Sequence, residues 1–187
     1  RDTDRSRGLG DVYKRQVIAA AAGLYLDSVF FARVNISGIR PDAIMALTAS
    51  LGVLLGMKKG ALFGLIMGLI ADVLYSPMVG LSAMGYMFAG LLGGAFYQKY
   101  YADNIIIPAL VAAVGAIFKE CVMAAACAAG GAKFGFFTVL GTYILPCALL
   151  SAAVCMLTHA LMRRALAGQL KVEHTYERDS HAQGGVK

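Results

Sequence analysis

Six apolar runs, at residues 17–32, 43–57, 60–75, 79–97, 105–130 and 134–162, take up most of this chain and are separated by short polar gaps. Crossing a bilayer as a helix takes about 20 predominantly apolar residues. Runs of this length therefore select between a bundle of membrane spans and an unusually apolar soluble core. Charge decides between them. Only 15% of the 187 residues are charged, against about 25% in an ordinary soluble domain. That is too little polar surface to face water, whereas lipid can solvate an apolar exterior. In hydrocarbon only helices and closed barrels satisfy every backbone N–H and C=O. The runs show no period-two alternation and are rich in Gly and Ala, so the chain reads as an all-α polytopic membrane protein with about six transmembrane helices.

The net charge of +6 invites a nucleic-acid reading, which the distribution rejects. No helix carries a basic stripe, and Lys and Arg stand mostly in the gaps, where they act as topology signals. Cys121, Cys127, Cys147 and Cys155 all fall inside apolar stretches without a CxxC pair, as small packing residues do. A buried disulfide or a redox role is the lesser alternative. Neither a cofactor nor a metal site is expected.

The first sixteen residues read as foreign. Asp11-Val12-Tyr13-Lys14-Arg15-Gln16 is the one-frame translation of a transposon end used in DNA library preparation, and residues 1–16 are set aside as a translated sequencing adapter. They carry five basic and three acidic residues, leaving 12 basic and 8 acidic, or +4, for the remainder. The basic-then-apolar text at 15–23 thus imitates a signal peptide, and the run at 17–32 is expected to be a first span shortened at its N-terminal end.

With six spans, one side of the membrane holds Lys58, Lys59, Lys99, Arg163, Arg164 and Lys171, and the other holds Arg33, Arg40 and Lys133. Six against three places both ends in the cytoplasm. Residues 163–187 are expected to be a cytoplasmic tail, a frayed extension of the last helix followed by disorder. His159, His174 and His181 read as interfacial or solvated.

Three features could carry function. Gly60, Gly64, Gly68 and Asp72 recur every four residues, so they share one helix face. That face suits close packing within the fold, or the docking of another protein's membrane helix. Asp72, near the helix's C-terminal end, is unfavourably placed with respect to the helix dipole. It therefore needs local donors, with Ser76 or backbone N–H groups of the following turn as candidates. Arg40-Pro41-Asp42 marks a helix start, with Pro and an acid in the first turn. Lys119-Glu120 is the one charged pair in the middle of a span; ionisable groups at that depth are functional candidates. Sequence neighbours do not face each other on a helix, so each is expected to need its own partner or a snorkelling path; the alternative to a functional role is that the pair lines the bundle interior and fixes packing. No nucleophile, base and oxyanion set can be assembled around them, and an enzyme is not expected.

Taken together, the text at residues 39–96 resembles the rod shape-determining protein MreD family. The matching features are Pro41-Asp42 before an apolar helix, the basic turn Met57-Lys58-Lys59, the Gly60, Gly64, Gly68, Asp72 helix, and Ser76-Pro77 leading to Gly80-Leu81, with Tyr86 and Gly90 beyond. Glu120 fits a Glu found in the fifth span of some members. The resemblance implies a non-enzymatic component of the bacterial cell-elongation machinery in the cytoplasmic membrane. Its implied partners are the bitopic protein MreC and, indirectly, MreB filaments and the peptidoglycan synthase. It also implies a fold similar to the substrate-binding subunit of energy-coupling-factor vitamin transporters, and a transporter subunit is accordingly the second reading. The absence of Trp and the scarcity of polar residues in the outer loops count against tight vitamin capture. A third class, a membrane enzyme using Glu120, would require activity that Glu120→Gln abolishes.

Overall fold

The computed structural model describes residues 17–18, 20–30, 33, 39–76, 78–97 and 104–184, with side chains as far as Arg164 except that of residue 30. The described residues form six helices. Helix α1 comprises residues 20–25 and the π turn Leu26–Phe30. Then come α2 (Ala43–Leu55), α3 (Met57–Tyr75), α4 (Leu81–Ala95) and α5 (Ile106–Ala129). The last, α6, joins Phe136–Val139, the π turn Leu140–Ile144 and the segment Leu145–Gly184. The residues of the foreign-sequence reading, 1–16, lie outside those described, as does Lys99.

Helix α2 is the hub, touching α3, α4, α5, α6 and the end of α1. Its sequence explains why. AIMALTASLGVLL is apolar or small all the way round, a pattern that belongs in an interior, and every residue but Val53 is buried. At about 1.5 Å per residue it is only about 20 Å long. It is bounded by sharp local signals: Asp42 caps its start, and Gly56 ends it with φ 89°, a left-handed angle that favours glycine.

Because Gly56 alone breaks the chain, α3 begins at once with Met57. Lys58 and Lys59, read from sequence as part of a turn, therefore occupy the first turn of α3. Gly80, at φ 102°, likewise starts α4. The helix of α6 also continues to Gly184 rather than fraying at 163. Residues 165–183 hold no Pro and a single Gly, and about half of them are Ala, Leu, Gln, Glu or Lys, which favour helix.

The exterior is apolar. On α3, Leu62, Ile66, Val73 and Leu74 are exposed, Val73 by 71%, while Gly60, Gly64, Met67, Gly68, Ala71 and Asp72 point inward. Leu110, Phe137, Leu149 and Leu157 extend the same surface over α5 and α6. A surface of this kind would drive association in water but is at ease in hydrocarbon. Ile106–Ala129 and Phe136–Arg164 are each long and apolar enough to cross a membrane. The core beneath joins Ile44, Met45 and Ala49 of α2 to Met67, Tyr86, Ala89, Ala112, Ala116, Ala148 and Cys155.

Candidate functional site, a charged layer at the head of the central helix

The first-turn N–H groups of a helix have no partner within it, and the start of α2 lies inside the protein. Two carboxylates from different helices meet this need. Asp42 caps its own helix, its Oδ1 accepting the Met45 N–H at 2.7 Å. Asp27, in the π turn of α1, accepts from Ala43 N–H at 2.7 Å and Ile44 N–H at 3.1 Å. Negative groups are also favoured by the positive end of the helix dipole. Asp42 is therefore the cap itself, with Pro41 just ahead of it, rather than a member of the first turn.

The second Asp42 oxygen collects the charge. Lys119 Nζ of α5 donates to Oδ2 at 2.6 Å and the Tyr86 hydroxyl of α4 donates to it at 2.8 Å. The ammonium also stands 5.3 Å from the Tyr86 ring centre, within range of a cation–π interaction. The backbone N–H of Asp42 donates to Ser151 Oγ of α6 at 3.1 Å, and Cys147 Sγ–H donates to the Arg40 carbonyl at 3.1 Å. Asp42 thus ties α2, α4, α5 and α6 into a single layer, to which Asp27 joins α1.

Lys119 and Glu120 also pair with each other, Nζ to Oε1 at 3.1 Å, contrary to the expectation of separate partners. Their Cβ atoms diverge, but a lysine side chain is long enough to reach across. The Asp42 partner of Lys119 could not have been found from local spacing, because the two residues lie 77 positions apart. Asp27 escaped notice for the same reason. Its only local signal is an acid in an apolar run.

A second carboxylate does related work at the next corner. Asp72 is fully buried, and its Oδ2 accepts from the N–H groups of Gly80, Ser82 and Ala83 at 2.8, 3.1 and 3.2 Å. It sits at the end of α3 yet caps the start of α4, so the positive dipole end of one helix offsets the negative end of the other. Ser76 does not supply the donor. Its hydroxyl turns to Met78, accepting from that residue's N–H and donating to its carbonyl.

The glycine face is filled from within. A Cβ built on Gly60 would meet the Gly52 Cα at 2.5 Å; on Gly64 it would meet the Tyr86 backbone, and on Gly68 the Ala83 backbone. Gly90 rests in turn against the backbone of Gly60. Helices α2 and α4 occupy the space that an external helix would need. A further surprise is His159, read as interfacial but fully buried, with Nδ1 3.0 Å from Ser50 Oγ.

Chemically, this layer sets the carboxylates of Asp27, Asp42 and Glu120 around the Lys119 ammonium and the N–H groups at the start of α2. Asp42 spends its acceptors on donors from three helices. Among the described residues no group of three or more His, Cys, Asp or Glu is arranged to hold a metal ion.

The family model described as rod shape-determining protein MreD matches residues 17–166. That span takes in α1 to α5, α6 as far as residue 166, and every member of the charged layer. No curated protein matches, and no solved structure matches.

Proposed function

The chain belongs to the rod shape-determining protein MreD family, and on that premise we propose that it is a non-enzymatic scaffold of the bacterial cell-elongation machinery. In this reading it crosses the cytoplasmic membrane six times, with both ends in the cytoplasm. It binds an MreC-like bitopic protein through its membrane domain and helps couple MreB filaments to peptidoglycan synthesis.

The observation that carries the reading is the family match across residues 17–166. The interior geometry supports it. Asp42, Lys119, Tyr86 and Glu120 are engaged with one another, so the layer serves as a rigid cross-brace rather than as a set of groups waiting for a substrate. The vitamin-transporter alternative gains nothing from this layer, whose polar atoms face each other. The docking face for the bitopic partner is moved from the glycines of α3, which α2 and α4 already cover, to the outer apolar surface of the bundle.

The test is co-purification. Tagged chain co-expressed with its MreC-like partner should retain that partner through detergent extraction, and supplying the chain should restore rod shape to cells depleted of their own copy. A folded, inserted chain that neither retains the partner nor restores shape would overturn the proposal.

A further inference from the structure

Every residue from 128 to 138, the connection between α5 and α6 with its flanks, is exposed. Its backbone closes on itself. The N–H groups of Gly130, Gly131 and Ala132 donate to carbonyls of the last turns of α5, and that of Val139 donates to Gly135. A Cβ built on Gly131 or Gly141 would meet nothing within 4 Å, and one on Gly135 would meet only Thr138. At these positions no other element packs on the tip among the described residues.

The side chains suit an apolar setting with one polar edge. Between Glu120 and Arg163 the only Asp, Glu, Lys or Arg is Lys133. Phe134, Phe136 and Phe137 follow it at once, Phe137 being 85% exposed. The exposed Thr142 hydroxyl donates to the Thr138 carbonyl of its own helix at 2.7 Å, so it does not require water.

Helix geometry sets the height of this tip. From Glu120 to its last residue, Ala129, α5 rises about 14 Å at about 1.5 Å per residue. In the other direction α2 runs about 20 Å from the Asp42 cap to Gly56, just before the exposed Lys58. The two lengths come to about 34 Å, close to a hydrocarbon core about 30 Å thick. An outer boundary at the charged layer would instead leave an apolar tower about 14 Å tall in water, with one lysine to solvate it.

We propose that the α5–α6 tip is an interfacial anchor in the phospholipid headgroup region of the leaflet it faces, the outer one in the orientation given above. Lys133 meets the lipid phosphates, and Phe134, Phe136 and Phe137 lie among the upper acyl chains. The charges are complementary, and a lysine stem can run along apolar surface while its ammonium stays at the polar edge. The anchor fixes the depth of the bundle and holds the charged layer inside the hydrocarbon. The inference rests on the reading of the chain as membrane-inserted.

The chain contains no Trp, so a single introduced Trp reports its own depth. The full chain carrying Phe137→Trp is reconstituted in phosphatidylcholine vesicles whose acyl chains are brominated either near the headgroup or near the methyl end. Ile66→Trp, at an exposed site midway along α3, is the reference. Shallow bromine should quench Phe137→Trp more than deep bromine does, and Ile66→Trp should show the reverse order. Adding Lys133→Glu, Phe134→Ser and Phe136→Ser to Phe137→Trp should remove most of its quenching.

Quenching of Ile66→Trp but not of Phe137→Trp would put the tip in water and overturn the proposal, leaving that surface to a protein partner. Deep quenching of Phe137→Trp would overturn it by burying the tip in hydrocarbon. Unchanged quenching after the three added substitutions would overturn it as well, because these side chains would not be what holds the tip. Absence of quenching at both positions would remove membrane insertion and the scaffold reading together. The vesicles hold no bitopic partner, so failure at the tip alone leaves the scaffold reading standing, and failure of co-purification leaves this one standing.

Discussion

Asp42 shows how much of this fold rests on a single side chain. Its carboxylate accepts from its own helix, from Tyr86 and from Lys119, so removing one partner strands the others. Breaking a buried ion pair from one side costs about 3–5 kcal/mol. Lys119→Met should therefore lower stability by that order, read as thermal unfolding in detergent. Adding Asp42→Asn should recover part of the loss, because its amide oxygen can still accept from the cap while its NH2 donates to the Tyr86 oxygen, and no stranded charge remains. If the double variant is no more stable than Lys119→Met, the pair is not the source of the cost. Asp72 offers a cleaner case, since three N–H groups converge on one oxygen while the other oxygen is buried without a hydrogen-bond partner among the described residues. Asp72→Asn can keep the accepting oxygen and should cost roughly 1 kcal/mol. Asp72→Ala removes the acceptor from buried donors and should cost roughly 2–3 kcal/mol. Equal effects of the two would mean that the three hydrogen bonds contribute little.

Between elements, the spacing of small residues decides how closely helices approach. Gly64 and Gly68 let the backbone of α4 lie directly on α3. Gly64→Leu or Gly68→Leu must push these helices apart, and overpacking of even a few methylenes costs about 1–3 kcal/mol. The folded yield should fall sharply with or without any partner present. Gly141→Ala, at a site with nothing within 4 Å, should leave yield and melting unchanged. Normal folding of both leucine variants, measured by size-exclusion profile and melting, would refute the contact seen between α3 and α4. Much at this scale was legible beforehand: the apolar runs located the helices, and the four-residue recurrence of Gly60, Gly64, Gly68 and Asp72 put them on one face. What could not be read was the occupant of that face, because the sequence pattern is the same whether the neighbour is the chain's own α4 or another protein. The charged layer was legible only as fragments. Asp42, Tyr86, Lys119 and Glu120 were each marked, but their meeting depends on contacts separated by 44 and 77 positions, which no local period encodes. His159 was misjudged because a histidine near a helix end reads as solvated until Ser50 is seen opposite it.

For the whole molecule, the distribution of charge separates two ends that composition alone leaves equivalent. One end carries Lys58, Lys59, Arg163 and Arg164, and no acid among the described side chains. The other carries the acidic layer together with Arg33, Arg40 and Lys133. An orientation with the first end in the cytoplasm follows the bias of basic residues in short loops, and it makes opposite demands on two exposed positions. Lys133, in the connection after α5, should lie outside, while Lys58, at the start of α3, should lie inside. Single-cysteine variants can separate them. Cys147 and Cys155 are buried and should not react, whereas Cys121 and Cys127 are partly accessible and are first replaced by Ala. In intact cells a membrane-impermeant maleimide should then label Lys133→Cys and spare Lys58→Cys, and both should react once the membrane is opened. The reverse pattern would invert the topology and, with it, the leaflet that Lys133 faces. Labelling of both positions before permeabilisation would mean that α3, α4 and α5 do not place them on opposite sides. The length of α5 makes that outcome costly. Its 24 residues extend about 36 Å, enough to cross a hydrocarbon core about 30 Å thick, and its apolar flank, Leu110 and Val114 included, is already exposed.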